Sequence, residues 1–364
     1  MAQVTSPVPS PLPTVGPRYL DGTPSVSGTA AWVGIEGGVS VSADGGRTWS
    51  IPALPPGVAA ADLLQVAGAA GRGFWLGVRE DNGARLYESA DGSSWSSVAL
   101  VPHWPAAFQV SGPPELILIA PGPAELVAVA ETIGVGTGSA LTTLFVSRDN
   151  GLTFTERPPT WGSLANFYWH SIAFLDDHDA VVGTGAETGP AGLRTSADLI
   201  HSTDGGATWS ATATSGLPSG GIRYFGVPAV AASDFVVSVV TSPCAGCSGS
   251  LWLLVSHDQG ASFAVSGTSL SVGSAIEPVV ATDGQTTWVV PSPGDATGSI
   301  YQTSDRGITW TSTPVPGPIV DLTLTGPTSA IAVIDAGTCD AAQSCGARTY
   351  LITTADGGRT WSAL

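Results

Sequence analysis

Short apolar runs alternate with turns rich in Gly, Ser and Asp along the whole chain. The segment Phe74-Trp75-Leu76-Gly77-Val78 is apolar at every position, which is typical of a β-strand covered on both faces. Such runs predict four strands between residues 62 and 100, at 62–69, 73–79, 85–89 and 94–100. The following stretch predicts four more, at 115–120, 125–132, 142–147 and 153–157. The pattern is that of an all-β protein, and we expect no helix of any length.

One eight-residue pattern recurs seven times, each time in the turn between a predicted third and fourth strand, and one copy is a residue shorter. Its first copy is Ser42-Ala43-Asp44-Gly45-Gly46-Arg47-Thr48-Trp49. In such a turn the Asp carboxylate accepts hydrogen bonds from nearby backbone amides, and Gly takes the positive-φ position. A period of roughly fifty residues is typical of repeat architectures. The seven aspartates are Asp44, Asp91, Asp149, Asp204, Asp258, Asp305 and Asp356.

The pattern Ser-x-Asp-x-Gly-x-Thr-Trp resembles the Asp-box of the sialidase-like, or BNR-repeat, β-propellers, and the resemblance covers residues 39–364. It implies a single seven-bladed β-propeller of four-stranded antiparallel blades, with an Asp-box turn between strands three and four. It also implies that these turns lie away from the active face, so that the box aspartates are structural. We therefore expect a propeller over residues 18–364, whose first strand comes from the poorly patterned segment 18–25.

The chain is strongly acidic, with 29 Asp and Glu against 12 Lys and Arg and a formal net charge of −17. Nucleic-acid binding needs a basic surface, and an anionic membrane surface would repel this chain, so we expect neither partner. Residues 1–17 contain five prolines among small residues and predict an extended linker or tail. No signal-peptide pattern precedes it. We expect a monomeric, secreted or cell-envelope protein whose export signal or anchor lay upstream of this chain.

Four cysteines form two sequence-local pairs, Cys244 with Cys247 and Cys339 with Cys345. Each pair falls in a predicted loop between the second and third strands of a blade. Four cysteines allow three pairings. Local pairing is the simplest, and it would stabilise two surface loops in an oxidising compartment. The alternative is that Cys244 and Cys247 are half of a zinc site, which would need further ligands from a blade two places away.

In a propeller, the loops between second and third strands share one face with the connections between blades, and we call this the loop face. Loops on a rigid scaffold commonly carry function. Several repeats place an acid just after the second strand, and together these acids would form a rim suited to a polyhydroxylated ligand or a cation. The alternative is that each is a solvated loop residue. We expect no cofactor, with calcium at this rim as the alternative; the acids are Glu36, Glu80, Glu131, Glu187 and Asp335.

Aromatic residues are concentrated in the connections from repeat 2 to repeat 3 and from repeat 3 to repeat 4. Rings gathered on one sector of the loop face would suit stacking against sugars, with a few polar neighbours to bind hydroxyl groups. The alternative is that the tryptophans cover the groove between blades as part of the core. The candidate ligand-binding residues are Trp104, Trp161, Tyr168, Trp169 and Arg157.

The resemblance also raises the question of catalysis. Sialidases of this superfamily carry an early Arg-Ile-Pro motif, and the nearest match here, Pro17-Arg18-Tyr19, is not that motif. Related xyloglucan-hydrolysing enzymes use two carboxylates in a cleft between two propellers, and this chain predicts only one propeller. Glu131 and Glu187 are the weak candidates for such a pair. We therefore expect an exported or surface-tethered propeller that binds a glycan or a protein, with a glycoside hydrolase as the alternative.

Overall fold

The structure is a computed structural model. It describes residues 25–27, 30–35, 38–42, 50–69, 71–104, 113–114, 116–136, 139–157, 168–185, 198–219, 222–243, 247–272, 279–282, 286–291, 298–315, 317–335, 338–339, 345–346 and 349–363. These residues contain no α-helix, and one 3-10 turn lies at Ala60–Asp62. No helix in this part of the chain is long and apolar enough to cross a membrane.

The described strands form seven successive main sheets, which we number 1 to 7 with the repeats, and one separate two-stranded hairpin. All strand pairs are antiparallel except one at an edge of sheet 5. Sheet 1 has three strands, β1 (Ser25–Ser27), β2 (Ala30–Ile35) and β3 (Gly38–Ser42). Sheet 2 has β4 (Leu63–Ala69), β5 (Gly73–Glu80), β6 (Gly83–Ser89) and β7 (Ser96–Leu100). Sheet 3 has β8 (Leu116–Pro121), β9 (Val127–Gly136), β10 (Ser139–Ser147) and β11 (Thr155–Arg157). Sheet 4 has β12 (Tyr168–Phe174), β13 (Ala180–Gly185), β14 (Asp198–Ser202) and β15 (Ser210–Ala211).

Sheet 5 is the largest because it gains strands at both edges. It contains β16 (Ala213–Ser215), β17 (Ile222–Phe225), β18 (Ala229–Ala231), β19 (Asp234–Ser242), β20 (Gly249–Ser256) and β21 (Ser262–Val272). Its outer strand β16 pairs parallel to β21. Sheet 6 has β22 (Val279–Thr282), β23 (Thr287–Val290), β24 (Ser299–Thr303) and β25 (Thr311–Pro314). Sheet 7 has β26 (Ile319–Gly326), β27 (Ser329–Asp335), β30 (Thr349–Thr354) and β31 (Ser362–Ala363), with the hairpin β28 (Thr338–Cys339) and β29 (Cys345–Gly346) between β27 and β30.

The fold is a β-propeller built from antiparallel blades, as the repeats predict. Sheets 2 to 7 each contain four or more strands and are the blades, so the described residues form six complete blades and the predicted count of seven is not confirmed. The predicted strands of repeats 2 and 3 are confirmed to within a few residues. Residues 1–17 and the expected first-strand segment up to residue 24 lie outside the described residues.

The innermost strands of neighbouring blades lie against one another in chain order, and the core is divided among the interfaces between blades. At the interface of blades 2 and 3, for example, Trp75 and Leu86 pack against Ile117, Val129 and Phe145. This arrangement explains the continuous apolar runs, because both faces of each middle strand are covered by a blade.

Five of the six described Asp-box turns share one hydrogen-bond pattern, and the shorter second box differs because Asp91 accepts from Ser93 and Ser94. In the sixth box, Asp305 Oδ1 accepts from the hydroxyl of Thr303 at 2.7 Å and from the amide of Thr309 at 2.9 Å. Its Oδ2 accepts from the hydroxyl of Thr309 at 2.6 Å. Gly307 has a φ of 85°, which L-residues with a Cβ rarely adopt. Each of the six described box aspartates accepts hydrogen bonds within its own turn, and Asp44 lies outside the described residues; the six are Asp91, Asp149, Asp204, Asp258, Asp305 and Asp356.

Each box turn also packs on the preceding blade. A Cβ at Gly151 would lie 2.9 Å from Trp75 Nε1 in blade 2, and one at Gly206 would lie 2.3 Å from Leu144 in blade 3. Only glycine therefore fits at these contacts. The box thus stabilises its own turn through Asp and the neighbouring interface through Gly, which accounts for the conservation of both residue types among the repeats of this chain.

Candidate ligand-binding site at the loop face

Glu131 is the most unusual of the predicted site residues because its side chain is buried between two blades. It lies on β9, directly opposite Ile117 of β8 and Thr143 of β10, and it is 0% exposed. Val127 and Val129 occupy the alternating positions before it and pack against blade 2. Because strand residues two apart share a face, Glu131 faces blade 2 as well. The expectation that Glu131 comes just after the second strand is wrong, since β9 continues as far as Gly136.

The Glu131 carboxyl group has no well-aligned hydrogen-bond partner, although the backbone of Ala84 lies close enough to lower its pKa. Both of its oxygens, and the hydroxyl of Thr143 beside it, are buried without a hydrogen bond. Burial raises the pKa of Glu131 to about 8; the backbone of Ala84 opposes the rise, and the charges of Glu156 and Glu80 add to it. Glu131 is therefore mainly protonated at neutral pH. A buried polar group without a partner is rare in folded proteins and marks a candidate functional residue.

A carboxylate of blade 3 holds the segment that leaves blade 2. Glu156 Oε1 accepts from the backbone amide of His103 at 2.7 Å, and Glu156 Oε2 lies 2.5 Å from His103 Nδ1. The His103 side chain is 87% exposed, whereas that of Glu156 is 20% exposed. This double contact fixes the backbone next to Trp104, which is itself half-buried.

A third acid, Glu80, is the last residue of β5, next to the turn that leads to β6. Glu80 Oε1 accepts from Arg85 Nε at 2.5 Å, and this hydrogen bond is the main cause of a raised Arg85 pKa. Glu80, Glu131 and Glu156 therefore meet at the loop-face end of the interface between blades 2 and 3. Two of these acids have side-chain partners among the described residues, and Glu131 has none.

Trp169 belongs to the core rather than to an accessible surface. It lies on β12 and is 2% exposed, among apolar residues of blades 3 and 4. Its ring meets the box residue Trp209 edge-on, with 4.9 Å between centroids. The prediction of a loop position is wrong for Trp169, and the alternative of a core residue between blades holds there.

Arg157 is partly buried on the other side of blade 3. It pairs with Leu144, whose side chain belongs to the cluster between blades 3 and 4, and its Nε is buried without a partner. It therefore does not join Glu131, which faces blade 2. For Tyr168 and Asp335 the structure describes the backbone alone, and the remaining predicted residues lie outside the described part of the chain: Trp161, Glu36 and Glu187.

Sequence reasoning did not select Glu156, although a signal was present. The residue lies two positions after the box aromatic Phe154, in the short strand β11, and pairs with Phe145. Phe145 packs towards blade 2, so the strand alternation places the acid on the same side as Glu131.

The cysteines agree with the expected loops, as far as they are described. Cys339 and Cys345 face each other across the β28–β29 hairpin. Cys247 is disulfide-bonded, and Cys244 lies outside the described residues.

Among the described residues, three side chains in the turn between β12 and β13 lie close enough to hold a metal ion, Asp176, Asp177 and His178. Asp176 Oδ1 already accepts from two backbone amides at 2.7 Å, and Asp177 pairs with His178 at 2.5 Å. These carboxylates are used within the turn, which lies at the opposite end of the blades from the loop face. The turn thus lends no support to calcium at the acidic rim, which stays a prediction.

Comparison with known proteins agrees with this geometry. The family model for the BNR/Asp-box repeat matches residues 200–211, which include the fourth box. The chain is a β-propeller that carries a BNR/Asp-box repeat turn. No curated protein sequence matches this propeller.

Solved structures match the propeller over nearly its whole length. It is similar to YCF48 from Cyanidioschyzon merolae, with 14% identity, a TM-score of 0.56, and coverage of 96% of this chain and 98% of that one. A structure of YCF48 bound to D1 peptide has 14% identity, a TM-score of 0.51, and coverage of 90% and 96%. An ancestral GH74 enzyme has 12% identity, a TM-score of 0.50, and coverage of 96% of this propeller but 55% of that chain. At these identities the likeness shows the fold alone.

Proposed function

We propose that this propeller is a binding module that engages a protein or glycan ligand at the loop-face end of the interface between blades 2 and 3. The observation that carries the proposal is the buried, unpartnered carboxyl group of Glu131 beneath a segment anchored by Glu156. An unsatisfied buried polar group costs free energy in the unliganded protein. A ligand that supplies the missing hydrogen-bond donor would recover that cost, which is a physical reason for binding at this place.

The comparisons fit both a protein ligand and a glycan ligand, and we favour a protein ligand because of the length over which the peptide-bound structure is matched. The peptide-bound structure of YCF48 is matched over 96% of its length. A propeller of similar size and fold can therefore bind a peptide. The GH74 enzyme is matched over only 55% of its length. The match therefore leaves out the part of that enzyme that would contribute a second propeller to a cleft.

A glycoside hydrolase is the second candidate, and the pKa of Glu131 favours it. A carboxylic acid that stays protonated at neutral pH is what a general acid requires. The mechanism also requires a second carboxylate at a suitable distance. Glu156 is engaged by His103, and the predicted partner Glu187 lies outside the described residues, so the hydrolase has one supporting residue instead of two.

We also propose that sheet 1 is the seventh blade and closes the ring. Its strand β1 lies against β4 of blade 2 and β26 of blade 7, the position that an innermost strand of a seventh blade would occupy. An isolated bridge pairs Val41 of β3 with Ser50, which follows the first box. This bridge supports a fourth strand after Asp44.

The compartment and assembly follow from the same proposal. Two local disulfides, Cys244–Cys247 and Cys339–Cys345, would stabilise loops of the loop face in an oxidising, extracytoplasmic compartment. A closed ring of blades leaves no large sheet edge to pair, which supports a monomer. Non-reducing mass spectrometry of the peptides tests the pairing, and light scattering tests the monomer.

The binding proposal is tested with a glycan array and a peptide array, read beside the release of reducing sugar. We expect binding without sugar release, and we expect Trp104→Ala to weaken it. The matched control is Val101→Ala, because Val101 is 52% exposed in the same segment but carries no ring. Sugar release that is lost in Glu131→Gln would instead support the hydrolase. No binding on either array and no sugar release would overturn the proposal.

A further inference from the structure

Among the residues that the structure describes between blades 2 and 3, no cation pairs with Glu131. Arg85 is held by Glu80 at the end of β5. Arg79 lies on the same face of β5 as Trp75 and Gly77, which points towards blade 3. Its side chain is exposed, and no hydrogen bond or ion pair between it and Glu131 is described. On β8 and β10 the residues opposite Glu131 are Ile117 and Thr143, which are uncharged. The surroundings therefore supply negative charge, a hydroxyl group and apolar walls.

The contact between His103 and Glu156 has the two-pronged geometry of a contact between a guanidinium group and a carboxylate. Two nitrogens of one residue meet the two oxygens of one carboxylate, at 2.7 and 2.5 Å. Arginine binds carboxylates in this two-pronged way, with parallel N–H donors. Because the His103 side chain is 87% exposed, few contacts oppose its displacement. An incoming arginine would replace the imidazole with a stronger donor.

We propose that the loop-face end of the interface between blades 2 and 3 binds an arginine side chain of a protein ligand, with Glu156 and Glu131 as acceptors and Trp104 beside it. This inference rests on the proposed binding function and names the chemistry of its ligand. The formal charge of −17 on the chain favours association with a basic segment. Trp104 follows His103 in the chain, and a ring at this position would offer a surface on which a guanidinium stacks.

Binding of this kind changes the protonation of Glu131. The carboxyl group is mainly protonated at neutral pH because its pKa is raised to about 8. A bound guanidinium favours the ionised form, so the proton leaves Glu131 for the solvent as the ion pair forms. The groups facing this change are Glu80 with Arg85, Glu156 with His103, and the exposed Arg79. Binding near pH 7 should therefore release protons.

The test is isothermal titration calorimetry with the peptide acetyl-Gly-Gly-Arg-Gly-Gly-amide at pH 7. The matched probe replaces Arg with citrulline, which has nearly the same shape but no charge. We expect the arginine peptide to bind about tenfold or more tightly than the citrulline peptide. In buffers of different ionisation enthalpy we expect net proton release, which Glu131→Gln abolishes while weakening binding.

Two further variants keep the result interpretable. Glu156→Gln alters a carboxylate at the surface end of the site, so it tests the proposal if Glu131→Gln does not fold. Glu88→Gln removes the same charge from β6, where Glu88 accepts from Ser96 at 2.8 Å, and it should bind like the unmodified protein. Equal affinity for the two peptides, no binding of either, or unchanged affinity in both Glu131→Gln and Glu156→Gln would overturn the inference. If the arrays still showed binding that depends on Trp104, the proposed binding function would stand even though the arginine inference had failed.

Discussion

Arg306 in the sixth Asp-box forms an ion pair with Asp234 of blade 5, with 2.9 Å between Nη2 and Oδ2. Asp234 begins the second strand of its blade, and its other oxygen lies 2.9 Å from Nδ1 of His257. The corresponding pair one blade earlier is Asp179, just before β13, and Gln259 in the fifth box. Gln259 and Arg306 have nearly the same φ, 62° and 57°. The two interfaces therefore share a backbone arrangement but differ in charge.

Gln259→Arg should stabilise the protein, because it would give Asp179 the partner that Asp234 already has. Asp179 is 4% exposed, no hydrogen bond to its carboxylate is formed within the described residues, and burial raises its pKa. A partly buried pair of this kind contributes on the order of 1 kcal/mol. Urea unfolding at pH 7 measures the change in the free energy of unfolding. The control is the same substitution in an Asp179→Ser background, where a gain of equal size would contradict the explanation.

The Asp-boxes should make the protein sensitive to acid below pH 4. Hydrogen bonds from Thr309 and Thr303 lower the pKa of Asp305 to about 2, and bonds from the backbone and side chain of Thr360 do the same for Asp356. A carboxylate with a lowered pKa in the folded state contributes stability above its unfolded pKa, near 3.8, and loses it as the pH falls towards 2. Melting temperatures measured from pH 5 to pH 2 should fall over this range. Asp305→Asn should lower the melting temperature at pH 5 and reduce its pH dependence; an unchanged profile would contradict this role.

The repeats predicted most of this fold because each turn is stabilised by hydrogen bonds between residues that are close in the sequence. The box fixes a turn through the short-range bonds of Asp305 to Thr303 and Thr309, and any sequence with that spacing shows it. The blade count depends on how the ends of the ring meet, which no local pattern encodes.

The candidate site was harder to predict for a related reason. Glu131 follows an apolar run and resembles a strand end, but β9 continues to Gly136 and keeps the acid inside. Trp169 was expected in a loop, but β12 begins one residue before it. In both cases the extent of a strand depends on pairing with a neighbour and not on the residue itself.

Glu131→Gln should stabilise the protein at alkaline pH and leave it nearly unchanged at pH 4. The pKa of Glu131 rises from 4.5 to about 8 on folding, so its contribution is fully present below pH 4.5 and is lost as the pH rises to about 8. Each unit of such a shift corresponds to about 1.4 kcal/mol, which makes the effect above pH 8 on the order of a few kcal/mol. Urea unfolding at pH 4, 6 and 8.5 measures it. A constant difference between the two proteins across this range would show that Glu131 is not protonated in the fold.

Trp169→Ala should destabilise the fold strongly, and Trp104→Ala should destabilise it less. Trp169 is buried among the apolar residues of blades 3 and 4 and contacts Trp209 edge-on at 4.9 Å, so its removal leaves a large cavity. Substitutions of this kind cost about 3–5 kcal/mol, whereas Trp104 is only half-buried, so its removal leaves a smaller cavity and should cost less. Urea unfolding of both variants gives the comparison. Trp169→Phe, which keeps a ring against Trp209, should recover part of the loss. If Trp169→Ala instead kept full stability and lost only ligand binding, the ring would have to be accessible, and the assignment of Trp169 to the core would fail.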